Sequence, residues 1–245
     1  MTSTGSVLDA GVDLLLGGVC VGCRRPGRAL CRCCEAALPT GGRPAWPLPT
    51  PPGLAPPWAA GEYAGTVRAA VLALKERRVL ALRAPLGGLL AGAATAALRA
   101  GPDRGRTPRG GPVVLVPVPS RPATVRARGH DPTLVVTRRA GRLLRAGGTD
   151  AVVVPLLRTR PGMLDQSGLD ARARAANLTG SLRCPSPALR RLSRRRPAAR
   201  VVVCDDVLTT GATAREAQRA LEDVGLTVVA IAAVAATTRR LVPTG

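Results

Sequence analysis

The sequence predicts an α/β fold: a mainly parallel sheet flanked by helices, preceded by a small module built on four cysteines. Three observations carry this expectation. The runs Val113-Val114-Leu115-Val116 and Val201-Val202-Val203 are continuously apolar and mostly β-branched. Strands covered on both faces of a parallel sheet have this composition. Each run is followed by a loop and then by apolar residues at helical spacing, the alternation that builds parallel sheets. Near the N-terminus, Cys20-x-x-Cys23 and Cys31-x-x-Cys34 bring four thiols into a metal-ligand pattern.

Composition sets the bounds. The 245-residue chain is 46% hydrophobic but contains no Phe, two Trp and one Tyr, so its core must be built from Ala, Val and Leu. The net charge of +21 is a nucleic-acid signature where the basic residues gather on one face. Yet Lys75 is the only lysine among the 36 basic residues. Together with abundant Ala, Gly and Pro, this points to GC-rich coding bias as the other source of the charge. No Gly-Lys pair exists for a Walker A loop, and no Gly-x-Gly-x-x-Gly follows a strand. Both absences weigh against an NTPase or a nicotinamide enzyme. Asp9 and Asp13 precede the first basic residue, Arg24, unlike a secretory signal. The apolar run from Ala84 to Leu98 is too short for a membrane span and rich in Gly and Ala, so it reads as a helix packed inside the protein. A soluble cytoplasmic protein without membrane insertion is expected.

Taken in order, residues 1–38 read as the metal module. Cys20, Cys23, Cys31 and Cys34 would hold a structural Zn²⁺, with Cys33 as an extra thiol in the second pair. A redox pair would need a βαβ setting that is absent here. Residues 39–58 hold eight prolines and form a semi-rigid linker or a strap over the next domain, which spans 59–245. Val67, Val71, Leu72 and Leu74 mark an amphipathic helix ending near Lys75. That sole lysine has either a special role or a place on a solvated face. A second helix covers Leu86 to Leu98. The strand Val113–Val116 runs into Pro117-Val118-Pro119-Ser120-Arg121, a stiff loop at the strand's carboxyl end, where α/β sheets bind ligands. Arg121, Arg126 and Arg128 would clamp a polyanion there or remain surface charge.

His130, the only histidine, is a candidate acid or base without an identifiable partner, and the next helix runs near Thr133 to Leu144. Ala151 to Leu157 and Leu178 to Leu182 read as short strands. Between Arg190 and Arg200 lies a basic loop, suited either to phosphate-backbone contact with single-stranded DNA or simply to solvent. The last strand covers Leu226 to Val234.

The richest stretch is Val201 to Thr213. A buried strand ends in Asp205 and Asp206, and Thr209-Thr210-Gly211-Ala212-Thr213 then opens onto a helix with apolar Ala217, Ala220, Leu221 and Val224. A loop of small residues at a helix N-terminus favours an anion, typically phosphate. Gly211 permits a positive φ and a close backbone approach, while the threonines add hydroxyls. Two carboxylates would repel that phosphate, so they would hold hydroxyls or Mg²⁺ beside it. A phosphate next to a diol describes a ribose 5-phosphate.

Val-Val-Val-Cys-Asp-Asp-Val-Leu-Thr-Thr-Gly-Ala-Thr resembles the phosphoribosyl pyrophosphate (PRPP) loop of type I phosphoribosyltransferases. The cysteine pairs, Leu74-Lys75, Pro117-Val118-Pro119, Arg128-Gly129 and the series Gln166, Leu169, Arg174, Asn177 follow the order of the ComF/GntX-type family. The resemblance implies that Asp205 and Asp206 hold the ribose hydroxyls or Mg²⁺ as catalytic groups. It implies further that residues 209–213 bind the 5-phosphate and that Ser120 and Arg121 face pyrophosphate. Two functions follow from it: transfer of phosphoribosyl from PRPP to an acceptor, or nucleotide sensing by an accessory protein of DNA uptake (competence) or DNA metabolism, with DNA-uptake proteins as partners. The chain departs from the family's usual aromatic and amide after Arg128-Gly129, where it has His130-Asp131-Pro132. It also has Glu76 where an aromatic commonly stands.

Overall fold

Val113–Pro117 (β3) and Arg200–Leu208 (β7) are side-by-side parallel strands, buried throughout β3 and over residues 201–204 of β7, as their β-branched sequences require. They form the centre of a sheet ordered β1-β2-β8-β7-β3-β4, with β1 Arg43–Pro44, β2 Pro57–Glu62, β4 Ala151–Val153 and β8 Val228–Ala236. All neighbours are parallel except β1, which caps the edge antiparallel to β2. A separate antiparallel pair joins β5 Arg158–Thr159 to β6 Leu182–Arg183. The structure is a computed structural model that describes residues 18–100, 111–160, 180–196 and 199–237. The expectations for Gln166, Leu169, Arg174 and Asn177, and for the start of a strand at Leu178, lie outside the described residues.

Helices cover both faces of this sheet. After the one-turn α1 (Arg32–Ala36), the chain forms α2 (Gly65–Glu76), α3 (Arg83–Ala100), α4 (Pro122–Arg128), α5 (Pro132–Ala146), α6 (Ser186–Arg195) and α7 (Ala212–Glu222). On one face Leu74 of α2, Leu86 and Leu90 of α3 and Val136 of α5 pack on Leu115, Val202 and Val234. On the other, Ala217 and Leu221 of α7 and Leu192 of α6 pack on Val116, Val203 and Ile231. With no Phe, these Leu and Val side chains fill the core, each fully buried one contributing about 1.5–3 kcal/mol. Among the described residues one helical stretch, Leu80–Ala100, has the length and composition of a membrane span. Half of it is buried inside the protein, where α3 packs against α5 and the sheet.

Several expected elements shift. The central strand does not stop at its acids but continues to Leu208, and its helix ends at Glu222, before Val224. Residues 122–128, for which no helix was expected, form α4, and Pro122 at its first position costs no hydrogen bond. The expected strand from Ala151 to Leu157 pairs only to Val153. The basic stretch expected as a loop from Arg190 is instead largely helix, α6, whose Leu192 is buried in the core. One apolar face sufficed to fold it, despite its charge.

Candidate functional site

The sheet order places the chemistry. From β3 the chain moves outward to β4 on one side, and β7 then returns on the other side of β3. The carboxyl ends of β3 and β7 therefore flank the point where the winding reverses, which is where open α/β sheets bind ligands. Pro117 to Arg121 leaves one of these ends, and Asp205 to Gly211 forms the other.

Asp206 is held from two helices on one face of the sheet. Its Oδ2 lies 2.7 Å from Lys75 Nζ at the end of α2 and accepts the Thr133 hydroxyl of α5 at 3.2 Å. The two charged side chains are only 14% and 27% exposed, which strengthens their attraction relative to a surface pair. Lys75 thus has a specific partner rather than a solvated face. Asp205 accepts the backbone N–H of Asp206 at 2.8 Å. Burial, followed by the neighbouring Asp206 charge, pushes its carboxyl up to about 8, against the opposing pull of that N–H and of Lys75.

Ser120 is fixed by a residue that sequence reading passed over. Asp131 caps α5 by accepting the Leu134 N–H at 3.2 Å, and the same carboxylate accepts the Ser120 N–H at 3.1 Å and hydroxyl at 3.2 Å. The signal was present: Asp followed by Pro and Thr is an N-cap with proline at the first helical position. Nothing in the sequence, though, showed that Ser120 would share that cap. Thr133 was likewise missed. Arg121 stands exposed at the start of α4, and Glu76 pairs with Arg128 at 2.6 Å. His130 is half-buried, with Nδ1 3.2 Å from the Arg128 carbonyl oxygen, and has no bond to Ser120, Asp131 or Asp206.

The loop after β7 turns at Gly211, whose φ of 74° lies in the left-handed region. Thr209, Thr210 and Thr213 are exposed, and Thr210 Oγ1 accepts the Ala212 N–H at 3.4 Å. The N–H groups that begin α7 point out of the helix as donors for an anion. The close approach that glycine permits is made by the chain itself: a Cβ on Gly211 would meet Pro47 Cγ at 2.9 Å. The proline-rich segment is anchored there by α7. Gln218 accepts the Ala55 N–H at 2.8 Å and donates to the Gly53 carbonyl at 2.9 Å, and Arg215 Nε donates to the Pro52 carbonyl at 2.9 Å.

At the N-terminus the Sγ atoms of Cys20, Cys23, Cys31 and Cys34 lie within 4.8 Å of one another, so these four residues are positioned to hold a metal ion. Cys23 and Cys31 Sγ are 3.6 Å apart, close to the ~3.8 Å edge of a tetrahedron with ~2.3 Å metal–sulfur bonds. The Cys31 and Cys34 N–H groups donate to Cys20 Sγ and Cys31 Sγ at 3.4 and 3.5 Å, which suits thiolates. Cys33 is exposed and stands outside the cluster. Buried Cys204, whose thiol is pushed up chiefly by that burial, sits in the wall of the sheet core. Among the described residues no other group gathers three such ligands.

Residues 166–244, which include β7, its loop and α7, match the family model of the phosphoribosyl transferase domain. This supports a phosphoribosyltransferase-type function for the C-terminal part of the chain and agrees with its α/β architecture. No match is found among the curated proteins.

Proposed function

We propose that the carboxyl edge of the sheet binds the ribose 5-phosphate part of PRPP with Mg²⁺ and transfers the phosphoribosyl group to an acceptor. The observation that carries this reading is the Asp205–Asp206 pair followed at once by the Gly211 turn and the start of α7, at the sheet's reversal point. The 5-phosphate would take the N–H groups and hydroxyls of residues 209–213. The ribose 2′- and 3′-hydroxyls would donate to Asp205 and Asp206. Mg²⁺ would neutralise the departing pyrophosphate near Ser120 and Arg121. In the reaction the C1–O bond to pyrophosphate breaks with its electron pair leaving on oxygen, and the acceptor's lone pair forms the new bond to C1. The acid pair, chiefly Asp206 while Asp205 holds its proton, would stabilise the positive charge that develops on the ribose ring between these events. In the same reading the four cysteines hold a structural Zn²⁺, and a cytoplasmic setting keeps the remaining thiols reduced.

Calorimetric titration of PRPP with Mg²⁺ into wild type and Asp205→Asn/Asp206→Asn tests the pocket. The wild type is expected to bind and the double variant to lose at least about tenfold in affinity, as removal of charge-assisted hydrogen bonds does. A wild type that does not bind overturns the reading. Binding without pyrophosphate release across a panel of nucleobases replaces transfer with nucleotide sensing.

A further inference from the structure

The candidate site occupies the carboxyl edge of the sheet, and a larger cavity lies at the opposite, amino edge. It measures about 570 Å³ and opens between the last turns of α3 and α5. Leu98, Leu143 and Leu144 give it apolar walls, Thr95 adds a hydroxyl, and Arg99 and Arg200 bring two guanidinium groups. No acid lines it among the described residues. Arg200 opens β7 five residues before Asp205, so this wall stands about 17 Å along the strand from the acid pair. The two arginines differ in what the fold asks of them. Arg99 is exposed in the last turn of α3, where a cation suits the carbonyl end of the helix. Arg200 has no such service. Its Nη2 reaches the Gly111 carbonyl only at 3.4 Å, and its Nε is buried with no hydrogen-bond partner among the described residues. The acid beside this edge, Asp150, is engaged by Arg196 at 2.5 Å. A buried donor without an acceptor is a cost that an anion in the cavity would remove.

We propose that this amino-edge cavity binds a small amphiphilic anion, a carboxylate or phosphate monoester head on an apolar body. The head lies at Arg99 and Arg200 and the body against Leu98, Leu143 and Leu144. A guanidinium fork matches either head, because both present paired oxygens to its N–H groups. The leucines take the body out of water, and the volume falls within the range of small-molecule sites. The site does not rest on the ribose-phosphate reading, since it shares no residue with the loop, the acid pair or Ser120.

Equilibrium dialysis of the full-length protein against octanoate, octyl phosphate, acetate and octanol tests this. Octanoate should bind at least about tenfold tighter than acetate, which lacks the apolar body, and than octanol, which lacks the charge. Arg200→Gln and Arg99→Gln should each weaken octanoate by about fivefold or more. Arg194→Gln, an equal loss of charge on the exposed side of α6, should leave it within about twofold. Should Arg200→Gln not fold, Thr95→Trp, which fills the cavity from α3 without touching a charge, should give a comparable loss. The tighter of octanoate and octyl phosphate identifies the head group. Octanoate binding no better than octanol, or unmoved by the cavity variants, overturns the site. Competition by PRPP with Mg²⁺ overturns it as well, because the anion would then be seated at the carboxyl edge.

Discussion

Asp205 and Asp206 are adjacent in sequence yet face different surroundings. Asp206 shares one oxygen between an ammonium and a hydroxyl, whereas Asp205 relies on a single backbone N–H. Burial and the Asp206 charge therefore raise Asp205 from its usual 3.8 to about 8. Between those values the native state holds a proton that the unfolded chain has released. The resulting stabilisation is fully present below about 3.8 and is lost as pH rises through about 8. Asp205→Asn, which keeps the shape and discards the charge, should flatten this decline. It should raise the melting temperature at pH 8.5 by about 3 °C or more, the shift that about 1 kcal/mol gives a chain of this size. Lys75→Met should act in the opposite sense, because Lys75 opposes the rise of Asp205. Scanning calorimetry from pH 5 to 9 decides it. An Asp205→Asn profile parallel to the wild type would place the proton elsewhere.

The element that matters most is the β7–loop–α7 unit together with the proline-rich segment laid over it. Gly211 has a positive φ and would place a Cβ against Pro47, whereas Gly129 has a similar φ of 76° and open space around it. Gly129→Ala should cost only the backbone strain, about 1 kcal/mol. Gly211→Ala should add a packing term for about 2–3 kcal/mol in all, since buried proline cannot yield without lifting the segment from α7. Urea unfolding of the two variants measures the difference, and equal losses would mean that Pro47 does not press on the turn. The unit itself was legible in the sequence, because a β-branched run, two acids and a small-residue loop are all local signals. Its cover was not. Gln218 and Ala55 are bonded across 163 positions, and Ser120 meets Asp131 only because α4 folds between them. Residues 190–195 read as loop because charge hid an apolar face that Leu192 commits to the core.

At the scale of the whole molecule, the cysteine cluster and the acid pair are joined through α2. Cys20, Ala29 and Leu30 belong to the same buried cluster as Val67, Val71 and Leu74, and the last of these adjoins Lys75. Gly22 also lies against Thr66 in the first turn of α2, where an added Cβ would meet its hydroxyl at 3.0 Å. A metal held by Cys20, Cys23, Cys31 and Cys34 would therefore support one side of the helix that carries the site's only ammonium. Because such small modules draw their folding energy from the metal, removing it should open the module while the sheet core persists. Thiol titration of the zinc-loaded protein should find exposed Cys33 reacting fast and the four clustered cysteines protected. After chelation those four should react too, Cys204 should stay inert in the core, and the far-ultraviolet spectrum should keep its helical signal. The same treatment should weaken ribose 5-phosphate binding several-fold, by about 1 kcal/mol, as α2 loosens and Lys75 loses its hold on Asp206. Four cysteines that react equally fast before and after chelation would show that the cluster holds no metal. Release of the metal with affinity unchanged would separate the module from the site.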